Sequence, residues 1–239
     1  MIDLSETAFV TLDTDWACDE VLADTLALIE ELSLPVTIFI THETALLPKM
    51  RVNPLVRLGI HPNFYPQLNN NAKGDYLQEI ERLLSLVPEA HCARSHGLVD
   101  ATPILSAFEQ RGITHDLNLF IPFSSGIQLK PFRHFSGLKR IPFFYEDDAA
   151  CFEPVLAAPA DHLFSSPEGL KVFNFHPIHL FLNTESMERY YDAKPFQHNP
   201  ECLLNYRNQS VERGARSFLK ELVCTARAHG IDFAHVEDL

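Results

Sequence analysis

The sequence predicts an α/β fold on a parallel sheet, either a (β/α) barrel or a doubly wound sheet. Three observations lead there. Short apolar runs alternate with amphipathic helical stretches along most of the chain. Residues 8–40 read strand, helix, strand, the order of a βαβ crossover. Several apolar runs also stop abruptly at Asp13, His61, Arg94, Asp116 and His176. Both architectures gather their chemistry at such C-terminal strand ends.

The run Ala8 to Leu12 is too short for a helix and reads as a buried strand ending in Asp13 and Asp15. If that strand persists to Asp15, the i, i+2 spacing puts both carboxylates on one face. Asp19 to Leu32 is an amphipathic helix. Leu22, Leu26 and Ile29 share a face, and Asp19 and Glu20 suit its positive N-terminal end. After Pro35, the β-branched and aromatic run Val36–Ile40 predicts a second strand, closed by Thr41-His42-Glu43-Thr44. Leu58-Gly59-Ile60 is a short apolar piece that delivers His61-Pro62-Asn63, and the polar stretch Gln67 to Lys73 predicts an exposed loop.

A second amphipathic helix is expected from Asp75 to Val87, with Leu77, Ile80, Leu84 and Val87 on its apolar side. Cys92 to Gly97 follows, then a helix from Thr102 to Gln110 stopped by Gly112, and a strand end at Ile113 to Asp116. Residues 119–164, rich in Phe and Pro, read as loops and short strands, with an extended piece Leu138 to Tyr145 leading into Glu146-Asp147-Asp148. Lys171 to His176 is again a strand ending in a polar residue. Residues 183–208 form a polar, aromatic insertion. Ser210 to His229 predicts a last helix, with Val211, Ala215, Phe218, Leu222 and Ala226 as its core face, and Ile231 to Ala234 a last strand. A single domain over 1–239 is expected.

Composition narrows the function. No apolar run reaches the ~20 residues of a membrane span. A formal charge of −13 disfavours nucleic acid as a partner. Five scattered cysteines without CxxC spacing argue against a disulfide framework and a cysteine zinc site. The N-terminus lacks the basic and apolar regions of a signal peptide, which predicts a cytoplasmic location. What remains is the carboxylate pair. Two carboxylates this close divide their labour well, one on a metal and one as a base, because like charges push their pKa values apart.

Taken together, the motifs resemble the polysaccharide deacetylase superfamily (NodB-homology, carbohydrate esterase family 4). The resemblance implies an irregular (β/α) barrel and a metal-dependent deacetylase that removes N- or O-acetyl groups from a sugar or glycan precursor. Thr11-Leu12-Asp13-Thr14-Asp15 is similar to the family's first motif, which makes Asp13 the general base and Asp15 a metal ligand. Gly59-Ile60-His61-Pro62-Asn63-Phe64-Tyr65 supplies the first histidine of an H-x-x-x-H pair, but Tyr65 stands where the second belongs. Ala93-Arg94-Ser95-His96-Gly97 keeps the arginine that orients the base and loses a proline, and His96 is the expected substitute ligand, with Asn63 or a water as the alternative. Arg111 to Asp116 is similar to a segment with a buried aspartate, and Ile141 to Asp148 to the acidic motif that holds the catalytic histidine. Phe173-Asn174-Phe175-His176-Pro177 matches the closing motif and makes His176 the general acid, with His179 close enough to compete.

The resemblance thus implies one divalent cation, zinc first, and substrate contacts from Trp16, Asn63, Tyr65 and Asp148. Tyr190, Tyr191 and Tyr206 of the insertion are expected to cap the sugar. Two other readings stay open: a hydrolase of a non-sugar amide, and a non-catalytic sugar-binding or scaffold relative.

Overall fold

The computed structural model describes residues 2–68, 75–152, 159–164, 169–210 and 213–239. The expected loop beyond residue 68 and Val211 lie outside them. Ten strands share one curled sheet. They are β1 (Thr7–Asp13), β2 (Val36–Ile40), β3 (Val56–Ile60), β4 (Cys92–Ala93) and β5 (His115–Asp116), then β6 (Phe132–Arg133), β7 (Lys139–Arg140), β8 (Tyr145–Glu146), β9 (Lys171–Phe175) and β10 (Asp232–Ala234). Their order is β6-β7-β5-β4-β3-β2-β1-β9-β8, and among the described residues only β6 and β7 pair antiparallel. The last strand, β10, lies against the first half of β1, whose second half pairs with β2.

The sheet curls until its ends meet. Residues 139–146 pair with β5 through β7 and with β9 through β8. Between these, Phe143 forms a parallel bridge with Phe120, just past β5. The extended piece expected over Leu138 to Tyr145 is therefore the segment that completes an irregular barrel, its regular pairing interrupted over residues 141–144 between β7 and β8. Helices over Asp19–Leu32, Tyr76–Leu86, Thr102–Gln110 and Ala215–Ala228 provide the outer layer. Inside, β1, β2 and β9 are buried almost throughout, as parallel strands covered on both sides must be.

Two expectations change. Strand β1 stops at Asp13, and Asp15 and Trp16 take left-handed backbone angles (φ 42° and 57°), so a tight turn rather than strand alternation carries Asp15. The last helix begins at Ala215, not Ser210. Its free N-terminal amides meet Asn183, whose Oδ1 accepts from Ser217 N at 3.0 Å, so a residue far away in sequence caps it. The insertion is mostly helical, with short helices at Met187–Ala193 and Pro200–Leu204.

Gly59 shows how tightly the strand bearing His61 is held. A Cβ there would stand 2.6 Å from the Phe39 ring and 2.9 Å from the Cys92 carbonyl oxygen. Gly59→Ala should therefore lower stability by about 1–3 kcal/mol. Urea unfolding checks this as a lower midpoint at unchanged slope.

Candidate active site

Asp13, His61, Arg94, Asp147 and His176 all sit at or one residue beyond the C-terminal ends of barrel strands. Arg94 follows β4 and is fully buried. Its Nε donates to Leu117 O at 3.2 Å, and its Nη1 donates to Thr11 Oγ1 at 3.0 Å, Asp13 Oδ1 at 3.1 Å and Asn174 Oδ1. Phe39 and Phe143 cover its guanidinium at 4.8 and 4.4 Å. Burial alone would push the Asp13 carboxyl up, but Arg94, then His61 and His176, outweigh it and hold Asp13 below the usual carboxylate range. Its other oxygen accepts from Asn174 Nδ2 at 2.8 Å.

Asp15, His61 and His96 offer donor atoms that all lie within 4.8 Å of one another. His61 Nε2 is 3.2 Å from Asp15 Oδ1, and His96 Nδ1 is also 3.2 Å from it. Both ring nitrogens of His61 are buried yet make no hydrogen bond among the described residues. Burial opposes ionisation of Asp15, but the close approach of His61, the hydrogen bond with His96 and the charge of His176 bring it well below the ordinary value. Two imidazoles and a carboxylate aimed at one point, with orphaned buried nitrogens among them, fit a zinc-like divalent cation.

His176 follows β9. Its Nδ1 lies 2.7 Å from Asp147 Oδ1, and its backbone N–H donates to Asp147 Oδ2 at 2.9 Å. Its Nε2 faces Asp15 Oδ2 at 3.7 Å and Asp13 Oδ2 at 4.0 Å. Burial disfavours the imidazolium, but Asp147, by charge and hydrogen bond, with Asp15 adding to it, raises the pKa well above the usual histidine value. His179 packs edge-on against His176 at 5.5 Å, with Nδ1 3.1 Å from Thr184 Oγ1, and burial lowers its pKa.

The expected substrate contacts divide. Trp16 and Tyr65 lie edge-on to the His96 ring, at 5.0 and 5.9 Å. Asn63 instead closes its own turn, its Oδ1 accepting from Tyr65 N at 3.0 Å. Asp148 accepts from Ala149 N at 2.6 Å, while its neighbour Asp147 reaches the centre. Tyr190 packs on His179 at 4.8 Å, but Tyr206 stacks on Phe196 away from it. Asp116 pairs with Arg140 at 2.7 Å and is bonded by Asn118, which accepts from Ser95 N and so braces the loop carrying His96. Sequence reasoning did not assign a role to Thr11, Asn174 or Glu146. The signal for Thr11 and Asn174 was a polar residue within a buried strand, and for Glu146 its place at the head of the acidic run 146–148.

The fold is shared with carbohydrate-active proteins of several kinds. The Bc1960 peptidoglycan N-acetylglucosamine deacetylase superposes with a TM-score of 0.53 at 11% identity, over 98% of this chain and 87% of that one. A 4-alpha-glucanotransferase from Thermococcus litoralis gives 0.55 at 13%, over 97% and 37%. At such identities only the architecture is shared. A Bordetella bronchiseptica protein, provisionally described as a polysaccharide deacetylase involved in O-antigen biosynthesis, is 41% identical over 92% of this chain and 90% of its own, with a TM-score of 0.87. No curated protein matches the chain. Residues 10–194 match the WbmS-like polysaccharide deacetylase family, and the chain belongs to that family.

The raised pKa of His176 ties stability to pH. Its contribution is complete below the unfolded value of about 6.5 and is lost as pH rises through the higher folded value. Asp13 and Asp15 act in the opposite sense, losing theirs as pH falls through their lowered values. Asp147→Asn should lower the His176 midpoint, because the carboxylate that raises it is gone, read by NMR of the imidazole protons in metal-free protein. The variant's stability deficit should shrink once pH passes the wild-type His176 midpoint.

Proposed function

We propose that this protein is a metal-dependent hydrolase that removes an N-acetyl group from a sugar of a glycan precursor, of the kind used for O-antigen. The observation that carries the reading is the convergence of an ionised Asp13, a protonated His176 and the Asp15–His61–His96 donor cluster on one spot. Family membership and the 41% identical relative support the substrate class.

Asp15, His61 and His96 would hold the cation. When bound, a divalent cation supplies Lewis-acid polarisation of an acetyl carbonyl and acidifies water. The rest falls to the protein. Arg94 keeps Asp13 charged, and Asn174 and Arg94 together fix its plane, so Asp13 is ready to take a proton from the attacking water. His176, charged through Asp147, holds a proton at Nε2, facing Asp13 and Asp15, and gives it to the departing nitrogen. Trp16, Tyr65 and Tyr190, grouped about His96 and His179, offer aromatic surface to a pyranose ring.

No helix among the described residues is long and apolar enough to cross a membrane. All five thiols are free, which supports a reducing compartment, and the cytoplasm is the proposed location.

Calorimetric titration of metal-stripped protein with zinc tests the reading first. One equivalent should bind, and His96→Ala should weaken binding by more than the ~10–100-fold that loss of even an outer partner causes. Unchanged affinity in that variant would remove His96 from the ligand set. Asp13→Asn should lower kcat for release of acetate from N-acetylated sugars by about 10²–10⁴-fold while zinc still binds. Wild-type protein that binds zinc and releases no acetate from any such sugar would sink the substrate assignment.

A further inference from the structure

Glu146 is a carboxyl of this centre with no part in the mechanism above. It ends β8 in register with Asn174 of β9. The Asn174 amide can face only one way. Its oxygen accepts from Thr11 Oγ1 at 2.9 Å and from Arg94, so its nitrogen donates on the other side. There Nδ2 serves two carboxyls at once, Asp13 Oδ2 at 2.8 Å and Glu146 Oε1 at 2.9 Å. Asp13, Glu146 and His176 offer atoms within 4.8 Å of one another, so Glu146 stands beside the base and the acid.

Two carboxylates sharing one neutral amide do not both ionise easily. Arg94 bonds directly to Asp13 and reaches Glu146 only across Asn174, so Asp13 takes the charge. Facing Glu146 are Asp13 of β1, Arg94 after β4, His176 after β9, and Asp147 and Asp148 next in its own chain. Burial, Asp148 and Asp13 push its carboxyl up, His176 and Arg94 push down, and the balance is a pKa raised to about 8. Among the described residues Asn174 is its one hydrogen-bond partner, and the side chain is partly exposed.

We propose that Glu146 binds substrate as a neutral carboxylic acid, donating a hydrogen bond to a sugar oxygen next to the acetamido carbon. The inference rests on the deacetylase reading for its ligand and on geometry for its protonation. A neutral acid accepts from Asn174 with one oxygen and presents an O–H with the other. Glu146 offers an oxygen within 4.8 Å of atoms of both Asp13 and His176, so a scissile amide presented to that pair would carry the neighbouring hydroxyl or ring oxygen of the sugar toward it. Glu146 therefore selects for an oxygen-bearing carbon beside the amide, a requirement that a simple alkyl acetamide does not meet.

Two variants and one spectrum test this. Glu146→Ala should lower kcat/KM for an N-acetylated sugar about 10–100-fold, the loss expected for an abandoned buried hydrogen bond. Glu146→Gln, which keeps the acceptor for Asn174 and restores a neutral N–H donor, should recover most of that loss and carry activity to higher pH than wild type. Equal losses in both variants, with an unshifted pH profile, would overturn the proposal in favour of a packing role. The infrared difference between wild type and Glu146→Gln at pH 6.5, in metal-free protein, should contain a protonated carboxyl stretch. Its absence overturns the neutral acid whatever the activity shows. If wild type releases no acetate from any sugar, the deacetylase reading fails, while the spectrum still decides the state of Glu146.

Discussion

A single buried cation organises the interior. The Arg94 guanidinium touches groups from β1, β2 and β9, the chain after β5, and the segment that closes the barrel. Removing a charge from water costs several kcal/mol, and only a well-placed counter-charge with further hydrogen bonds offsets that. Asp13 is that counter-charge, and the interior is built so that the pair can exist. Thr11 and Asn174 are polar residues on buried strands, each accepts from Arg94, and Asn174 also donates to Asp13. Phe39 and Phe143 exclude water from the faces. One guanidinium nitrogen, Nη2, has no hydrogen-bond partner among the described residues.

From that pair follows an ordered set of protonation states. Asp13 is kept ionised by Arg94, and His176 is kept charged by Asp147, although both are buried. Glu146, one amide away from Asp13, is pushed the other way. Three groups of ordinary intrinsic acidity thus reach different states near neutrality because each has a different nearest neighbour. Acid–base chemistry needs such a spread more than it needs unusual residues.

Much of this was legible in the sequence, for a physical reason. A parallel strand buried on both faces must be a short apolar run, and a polar residue ending it stands out, so Asp13, His61, Arg94 and His176 could be found by position. The helices over 19–32 and 102–110 were equally plain, because their apolar stripes are local. What sequence could not show was anything decided across the chain. Asn174 looks like a defect in a strand until Arg94 and Asp13 are beside it. The start of the last helix depends on Asn183 and could not be placed from residues 210–214 alone. Asp147 rather than Asp148 holds His176 because the chain enters a turn at Asp148, which then caps it.

Asp13 and Asp15 are neighbours in sequence but belong to different mechanical parts. Asp13 is rigid sheet, while Asp15 rides a left-handed turn pinned by Trp16 N to Thr41 Oγ1 at 3.1 Å and by Thr14 to Thr41 at 3.0 Å. His96 likewise comes from the loop beyond β4 rather than from a strand. The two proposed proton carriers, Asp13 and His176, therefore belong to the frame, and two of the three candidate ligands hang from its edge. A ligand on such an edge can be exchanged without disturbing the frame, and with tyrosine at position 65 three donors still lie within 4.8 Å of one another.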